Sequence, residues 1–91
     1  MNYEWDESKR QFNFDKHGLD FGDASDFDWE QALVVRDDRF EYPEIRYIAY
    51  GFFQDRLTAL VFTLRRESIR LISWRKANSR EGKLYESYIH D

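Results

Sequence analysis

The stretch FDKHG, residues 14–18, holds the side chains of this sequence that are best suited to proton transfer. His17 is one of only two histidines, and Lys16 precedes it. Histidine changes charge near neutral pH, so it can act as a general base or a general acid. Lys16, His17 and Gly18 also end a helix well, because cations favour the negative helix end and glycine adopts a left-handed conformation. The residues alone leave both interpretations open. The second histidine, His90, is next to the C-terminus, where we expect fraying.

Cationic side chains dominate the second half of the sequence, and an anionic substrate would suit them. Arg65 and Arg75 each end an apolar run that is predicted to be a strand. A guanidinium binds phosphate through paired hydrogen bonds, so a phosphate-binding role competes with an ordinary solvated face. If the two strands form a hairpin, these ends lie far apart along the ladder. The other basic residues of this region are Arg56, Arg66, Arg70, Lys76 and Arg80.

Several other kinds of chemistry lack their residues in this sequence. There is no cysteine, and the two histidines stand at opposite ends of the chain, so no thiolate and no familiar metal motif is present. There is also no Walker loop, no dinucleotide fingerprint and no serine on a nucleophile elbow. What remains is metal-free acid–base chemistry in which arginine and lysine stabilise an anion. An RNA phosphodiester suits this set, because its 2′-hydroxyl is an internal nucleophile and no cofactor is required.

The composition predicts one small soluble domain spanning residues 1–91, which we expect in the cytoplasm. Hydrophobic residues make up 42% and charged residues 35%, which is typical of a folding chain. No apolar run approaches the roughly 20 residues of a membrane span, and MNYEWDESKR has no apolar signal core. The formal net charge of −4 argues against a general nucleic-acid binder. The acidic residues concentrate in the first half, however, and the second half is basic.

The hydrophobic pattern predicts the order β-α-α-β-β-β-β-α, which indicates an α+β domain. YEW reads as a first strand, Asp6 as the cap of a helix that ends near His17, and GDASDFDW as a second short helix. The segments ALVVR, IRYIAYGFF, RLTALVFTL and IRLISWR read as strands, the last three as an antiparallel meander. Asn78 or Ser79 then caps a final helix. We therefore expect a small antiparallel sheet with helices on one face, and strict alternation groups Arg75 with Leu71.

The first predicted helix is unusually polar on the side that should pack. Lys9, Phe12, Asn13, Lys16 and His17 fall on one arc at 100° per residue. One interpretation makes Phe12 the anchor, with its neighbours extending their charges to water. The other makes this arc face a cleft and supply polar groups to a site.

The segment EWDESKRQFNFDKHGLDFGDA, residues 4–24, resembles the opening signature of BrnT-type toxins. In the second half the resemblance continues through VFTLR and IRLISWRKA, so it reaches nearly the whole chain with two blocks in the right order. The matching positions are Trp5, Asp6, Lys9, Asn13, Lys16, His17, Gly18, Phe21, Ala24, Arg46, Gly51, Arg56, Glu81 and Tyr85.

This resemblance implies a RelE-like α+β fold and a ribosome-independent endoribonuclease that blocks translation. It also implies a BrnA-type ribbon-helix-helix antitoxin as partner, so the chain would reach operator DNA only through that antitoxin. The candidate catalytic residues on this basis are Lys16, His17, Arg65 and Arg75. We add Lys9, Arg56 and Lys76 as candidates for binding the RNA substrate. Neither a metal nor a cofactor is expected.

Two alternatives stay open. The chain could be a non-catalytic interaction module that binds an antitoxin-like partner and acts as a co-repressor. The acidic segment DFGDASDFDWEQ, residues 20–31, is unexpected in an RNA-cleaving toxin and fits this alternative. A DNA-binding domain in its own right is disfavoured by the acidic first half and by the lack of a helix-turn-helix signal.

Overall fold

The computed structural model describes residues 2–90, which form a five-stranded sheet with helical segments packed on it. The predicted α+β class and the predicted order of elements are confirmed. No helix within this range is long and apolar enough to cross a membrane. The elements are β1 (Asn2–Glu4), α1 (Glu7–His17), a 3-10 helix (Phe21–Asp26), β2 (Leu33–Arg36), β3 (Tyr47–Phe53), β4 (Arg56–Arg65), β5 (Ser68–Lys76) and α2 (Ser79–His90).

The strands lie in the order β1-β5-β4-β3-β2. β2 to β5 form the expected antiparallel meander, and two-residue turns at 54–55 and 66–67 connect its long strands. Gln54 and Arg66 have φ angles of 56° and 54°, which two-residue hairpin turns require. β1 pairs in parallel with β5, Tyr3 opposite Ile69, so the sheet is mixed where an antiparallel one was expected. A three-residue strand carries too little pattern to indicate its partner across the chain.

A β-bulge in β5 changes which side chains share a face of the sheet. The β4–β5 ladder shifts register by one residue, and Ile72 is the additional residue. Trp74 therefore lies on the same face as Leu71, while Arg75 lies opposite Ala59 on the other face. The predicted grouping of Arg75 with Leu71 was wrong, because strict alternation contains no extra residue.

Each face of the sheet has its own hydrophobic cluster. On the first face, Trp74, Leu60 and Leu71 pack with Phe21 of the 3-10 helix. On the second face, the cluster is completed by Tyr85 of α2, whose hydroxyl donates a hydrogen bond to the Gln31 carbonyl at 2.9 Å. Helical segments thus cover both faces, where one covered face was expected. The helix at the chain end packs on the second face because its buried tyrosine matches an apolar surface there.

α1 is anchored by an amide and not by an aromatic ring. Phe12, the predicted anchor, is 67% exposed, whereas Asn13 is buried. The Asn13 Nδ2 group donates to the carbonyls of Leu19 (3.1 Å) and Trp74 (2.9 Å), and its Oδ1 accepts from the Trp74 N–H at 2.9 Å. β1 pairs with β5 only over residues 68–70, so the Trp74 backbone lies beyond its reach. Asn13 thus supplies the donor and acceptor that a further strand would supply.

Both ends of α1 are fixed by local hydrogen bonds. The Asp6 carboxylate accepts from the N–H groups of Ser8 (2.9 Å) and Lys9 (3.4 Å), as predicted for an N-cap. Gly18 has a φ of 73°, and its N–H donates to the Phe14 carbonyl at 2.8 Å. The helix therefore ends at a defined point, and that point sets the position of His17.

Candidate active site

The centre of the candidate site is an arginine–carboxylate pair on the second face of the sheet. Arg75 Nη1 lies 2.7 Å from Glu81 Oε1, and Nη2 lies 2.8 Å from Oε2. The two side chains are only 24% and 12% exposed, so water screens the pair weakly. Hydrogen bonding and charge raise the pKa of Arg75 and lower that of Glu81, so both groups are charged at neutral pH.

Glu81 is held in place by the beginning of α2. Its backbone N–H donates to Asn78 Oδ1 at 2.8 Å, and its carboxylate accepts from the Asn78 N–H at 2.9 Å. This reciprocal capping box identifies Asn78 as the cap, of the two residues predicted. Arg75 Nη1 also donates to the Lys76 carbonyl at 3.2 Å. Within residues 2–90 these contacts leave the Arg75 Nε–H without an acceptor, so it is available to donate a hydrogen bond to an anion.

His17 is the last residue of α1. Asn13 docks this helix against Trp74, the residue just before Arg75 in β5. Partial burial lowers the pKa of His17 below its usual 6.5, and the positive charges of Lys16 and Arg75 lower it further. The imidazole is therefore mainly neutral at pH 7, which is the form that accepts a proton. Lys16 is exposed, with its ammonium 5.9 Å from the centre of the Phe12 ring.

A buried tyrosine lies beside the pair. Tyr50 is opposite Ala59 in the ladder, and Ala59 is opposite Arg75, so the three residues form one row across the sheet. Burial raises the pKa of Tyr50, and the nearby Glu81 carboxylate raises it further, so the hydroxyl stays protonated. Sequence reasoning missed Tyr50, since it reads as an ordinary strand aromatic. It also gave Glu81 no role, although the Asn78–Glu81 spacing is that of a capping box.

Two of the remaining predicted site residues, Arg56 and Lys76, lie at the end of the sheet where Arg75 is found. Arg56 begins β4 and, with Gly18 and the turn at 54–55, lines a cleft of about 370 Å³. Lys76 is opposite Thr58, two residues further along the same strand. The structure therefore brings the end of α1 together with the cations at the start of β4 and the end of β5. Lys9 is exposed two turns earlier on α1, about 12 Å along the helix from His17.

Arg65 lies at the opposite end of β4. It pairs with Ser68, whereas Arg75 is opposite Ala59. At about 3.3 Å per residue, the stretch of β4 between positions 59 and 65 spans about 20 Å. The expectation that Arg65 and Arg75 lie far apart along the ladder is confirmed. One phosphate group cannot touch both.

The first part of the acidic segment, residues 20–27, lies on the other side of the sheet from the Arg75–Glu81 pair, whereas its last residue, Gln31, reaches Tyr85 on the second face. Its Phe21 and Ala24 are buried in the first-face cluster, while Asp23 and Asp26 are exposed. Asp20 is committed to Arg10, with hydrogen bonds of 2.7 and 3.1 Å. Asp23 and Asp26 therefore lie away from the face of the sheet that carries Arg75. Among residues 2–90, no group of three or more histidine, cysteine or acidic side chains is arranged to hold a metal ion.

The fold and the site together define a small α+β protein with a fixed arginine–carboxylate pair on one face of its sheet and a histidine at the end of its first helix. A family model described as the ribonuclease toxin BrnT of type II toxin–antitoxin systems matches residues 5–81. The chain belongs to this family of ribonuclease toxins, which confirms the resemblance seen in the sequence. A comparison with curated proteins finds no match. Membership in the family implies an antitoxin partner and an RNA substrate.

Proposed function

We propose that this chain is a metal-independent endoribonuclease that arrests growth by cutting RNA and thereby blocking translation. A BrnA-like ribbon-helix-helix antitoxin neutralises it and carries it to operator DNA. The observation that supports the chemistry is the largely buried, two-pronged Arg75–Glu81 pair, whose arginine charge helps to keep the pKa of His17 below its usual value. These groups supply proton transfer and a fixed positive charge, which cleavage of a phosphodiester requires.

In the proposed reaction, neutral His17 removes the proton from an RNA 2′-hydroxyl. The 2′-oxygen then attacks the adjacent phosphorus, and the bond to the 5′-oxygen breaks. The products are a 2′,3′-cyclic phosphate and a 5′-hydroxyl, which takes its proton from the ammonium group of Lys16. The negative charge that develops on the phosphate oxygens is stabilised by Arg75 through its uncommitted Nε–H. No step uses a metal or an added cofactor.

Glu81 acts in this scheme by holding Arg75. A guanidinium fixed by two parallel hydrogen bonds needs no reorganisation when the phosphate charge develops. Arg56, Lys76 and the more distant Lys9 bind phosphates of the RNA strand on either side of the cleaved bond. Arg65, about 20 Å away along β4, is too far to share that phosphate.

The test is cleavage of single-stranded RNA by purified protein, with and without a chelator. We expect His17→Ala and Arg75→Ala each to lower kcat/KM by about 10² or more. His90→Ala is the matched control, because it removes the exposed second histidine at the chain end, and it should stay within about twofold. Activity lost on adding the chelator, or retained in His17→Ala, would contradict the mechanism. Expression in a bacterial host should arrest growth only with the parent sequence and the control.

One observation favours a second function, a non-catalytic co-repressor. Arg75 already donates hydrogen bonds to Glu81 and to the Lys76 carbonyl, as an arginine with a purely structural role would. This function predicts tight antitoxin binding and operator repression with no RNA cleavage at any protein concentration. The cleavage assay therefore decides between the two functions.

A further inference from the structure

The segment between β2 and β3, residues 37–46, is folded around a buried carboxylate. Asp37 has no exposed side-chain surface. Its oxygens accept from Arg39 Nε at 2.8 Å and Nη2 at 2.9 Å, and from the Tyr42 hydroxyl at 3.3 Å. The Arg39 guanidinium holds the pKa of Asp37 below its usual value, so the carboxylate stays charged. The conformation of this segment thus fixes the direction of one arginine.

Arg39 is fixed at one edge and open at the other. Its side chain is 51% exposed although the partner carboxylate is fully buried. Within residues 2–90, the contacts to Asp37 leave the whole Nη1 amino group uncommitted. A buried ion pair is a poor way to gain stability. It is, however, an effective way to hold a guanidinium ready for an anion, because the side-chain entropy is lost before binding.

The strand geometry places Arg39 over the same face as the candidate active site. Leu33 and Val35 of β2 pack in the second-face cluster. Asp37 continues the alternation of Leu33 and Val35, so its side chain points to the same face. Its N–H donates to the Arg46 carbonyl at 2.8 Å, which extends the β2–β3 ladder by one residue pair. The guanidinium bound to Asp37 therefore lies on the side of the sheet that carries Tyr50 and Arg75. Its charge opposes the rise in the Arg75 pKa that Glu81 causes.

The same segment presents aromatic surface beside this arginine. It encloses a cleft of about 520 Å³, within the range of small-ligand sites. Phe40 is 70% exposed, and its ring meets Tyr42 edge to face at 6.0 Å. The Arg46 guanidinium lies over the Tyr42 ring at 4.1 Å. Exposed rings next to cations are what unpaired bases stack on in proteins that bind single-stranded nucleic acid.

We propose that residues 37–46 form a subsite for an unpaired nucleotide of the RNA strand that Arg75 contacts, with Arg39 binding its phosphate and Phe40 stacking on its base. This inference rests on the proposed function, since it places a second phosphate contact on the same face of the sheet as Arg75 and on the same RNA strand. Asp37 is a positioning residue, because its carboxylate fixes the orientation of the Arg39 guanidinium. The subsite selects single strands, because a base paired in a duplex cannot offer its face to Phe40.

The test uses a 2′-O-methyl oligonucleotide, which binds but lacks the nucleophile, together with a cleavable RNA of the same sequence. We expect Arg39→Ala and Phe40→Ala each to weaken oligonucleotide binding by about tenfold or more. Arg39→Lys should not restore it, because the two-pronged contact with Asp37 is lost. Arg80→Ala is the matched control: Arg80 is an exposed arginine in the first turn of α2 and does not line the cleft, so binding should stay within about twofold.

Two further comparisons make the outcome decisive. The contribution of Phe40 should vanish with a fully duplexed probe. Because Phe40 is largely exposed, its alanine variant should fold even if a change at Arg39 disturbs the segment, and thermal unfolding checks this. If the parent protein neither binds nor cuts RNA, the proposed function fails. If the parent cuts RNA while Arg39→Ala and Phe40→Ala behave like Arg80→Ala, the subsite alone is overturned.

Discussion

Replacing Asn13 with alanine should destabilise this protein far more than its place in a polar helix suggests. The substitution leaves three backbone groups without their partners: the Leu19 carbonyl, the Trp74 carbonyl and the Trp74 N–H. At about 1 kcal/mol per hydrogen bond, the free energy of unfolding should fall by about 3 kcal/mol. Domains of this size are stable by only about 5–15 kcal/mol. The melting temperature should therefore fall by about 12–24 °C.

Urea unfolding followed by tryptophan fluorescence measures this loss directly. Gln11→Ala is the control on the same helix, since Gln11 is exposed and its side chain donates only to Asp15, at 3.1 Å. It should change the free energy of unfolding by less than about 0.5 kcal/mol. Asn13→Asp should lower the free energy of unfolding more than Asn13→Ala does at neutral pH, because it points a carboxylate at two carbonyls. Part of this loss should be recovered as the pH falls and the carboxylate is protonated. A loss in Asn13→Ala no larger than in the control would refute the docking argument.

Three further outcomes are expected. The folded state lowers the pKa of His17, so a proton binds this histidine more tightly in the unfolded chain. The free energy of unfolding should therefore fall as the pH drops below about 6.5. Urea midpoints measured between pH 5 and 8 should decline less in His17→Gln than in the parent. Gly51→Ala should lower the free energy of unfolding by about 1–3 kcal/mol, because the added Cβ would lie 2.6 Å from the Phe27 ring. Gly82→Ala should raise it by up to about 1 kcal/mol, because Gly82 lies in a helix with open space around it. Thermal unfolding measures both changes. Arg65→Ala should keep RNA cleavage within a few-fold of the parent, and a loss like that of Arg75→Ala would mean that the strand register is wrong.

The elements that the sequence predicts well are those specified by neighbouring residues. The strands of the second half were expected at 45–53, 56–64 and 69–75, and they occupy Tyr47–Phe53, Arg56–Arg65 and Ser68–Lys76. Runs of β-branched and aromatic residues between short turns are sufficient to specify them. Asp6 and Gly18 likewise mark the ends of α1 through hydrogen bonds to their own helix. Local chemistry therefore places His17 correctly at a helix end.

The features that the sequence does not predict depend on partners far along the chain. The bulge at Ile72 exists only in the pairing of β5 with β4, yet it decides the face on which Arg75 lies. Asn13 becomes the anchor only because the Trp74 backbone, 61 residues away, lacks a strand partner. The two-pronged contact between Arg39 and Asp37 depends on the burial of the Asp37 carboxylate, and the composition of a loop does not predict which of its side chains are buried. The site is therefore suggested by family resemblance and given its geometry by long-range packing.

The contact between Asn13 and Trp74 has a consequence for self-association. It occupies part of the outer edge of β5, where an unpaired backbone would otherwise recruit a strand from another molecule. When α1 detaches, His17 is displaced and this edge is uncovered in the same event. Displacement of the candidate catalytic histidine and exposure to edge-to-edge aggregation are thus two results of one local opening. Hydrogen exchange at the Trp74 amide reports the frequency of that opening.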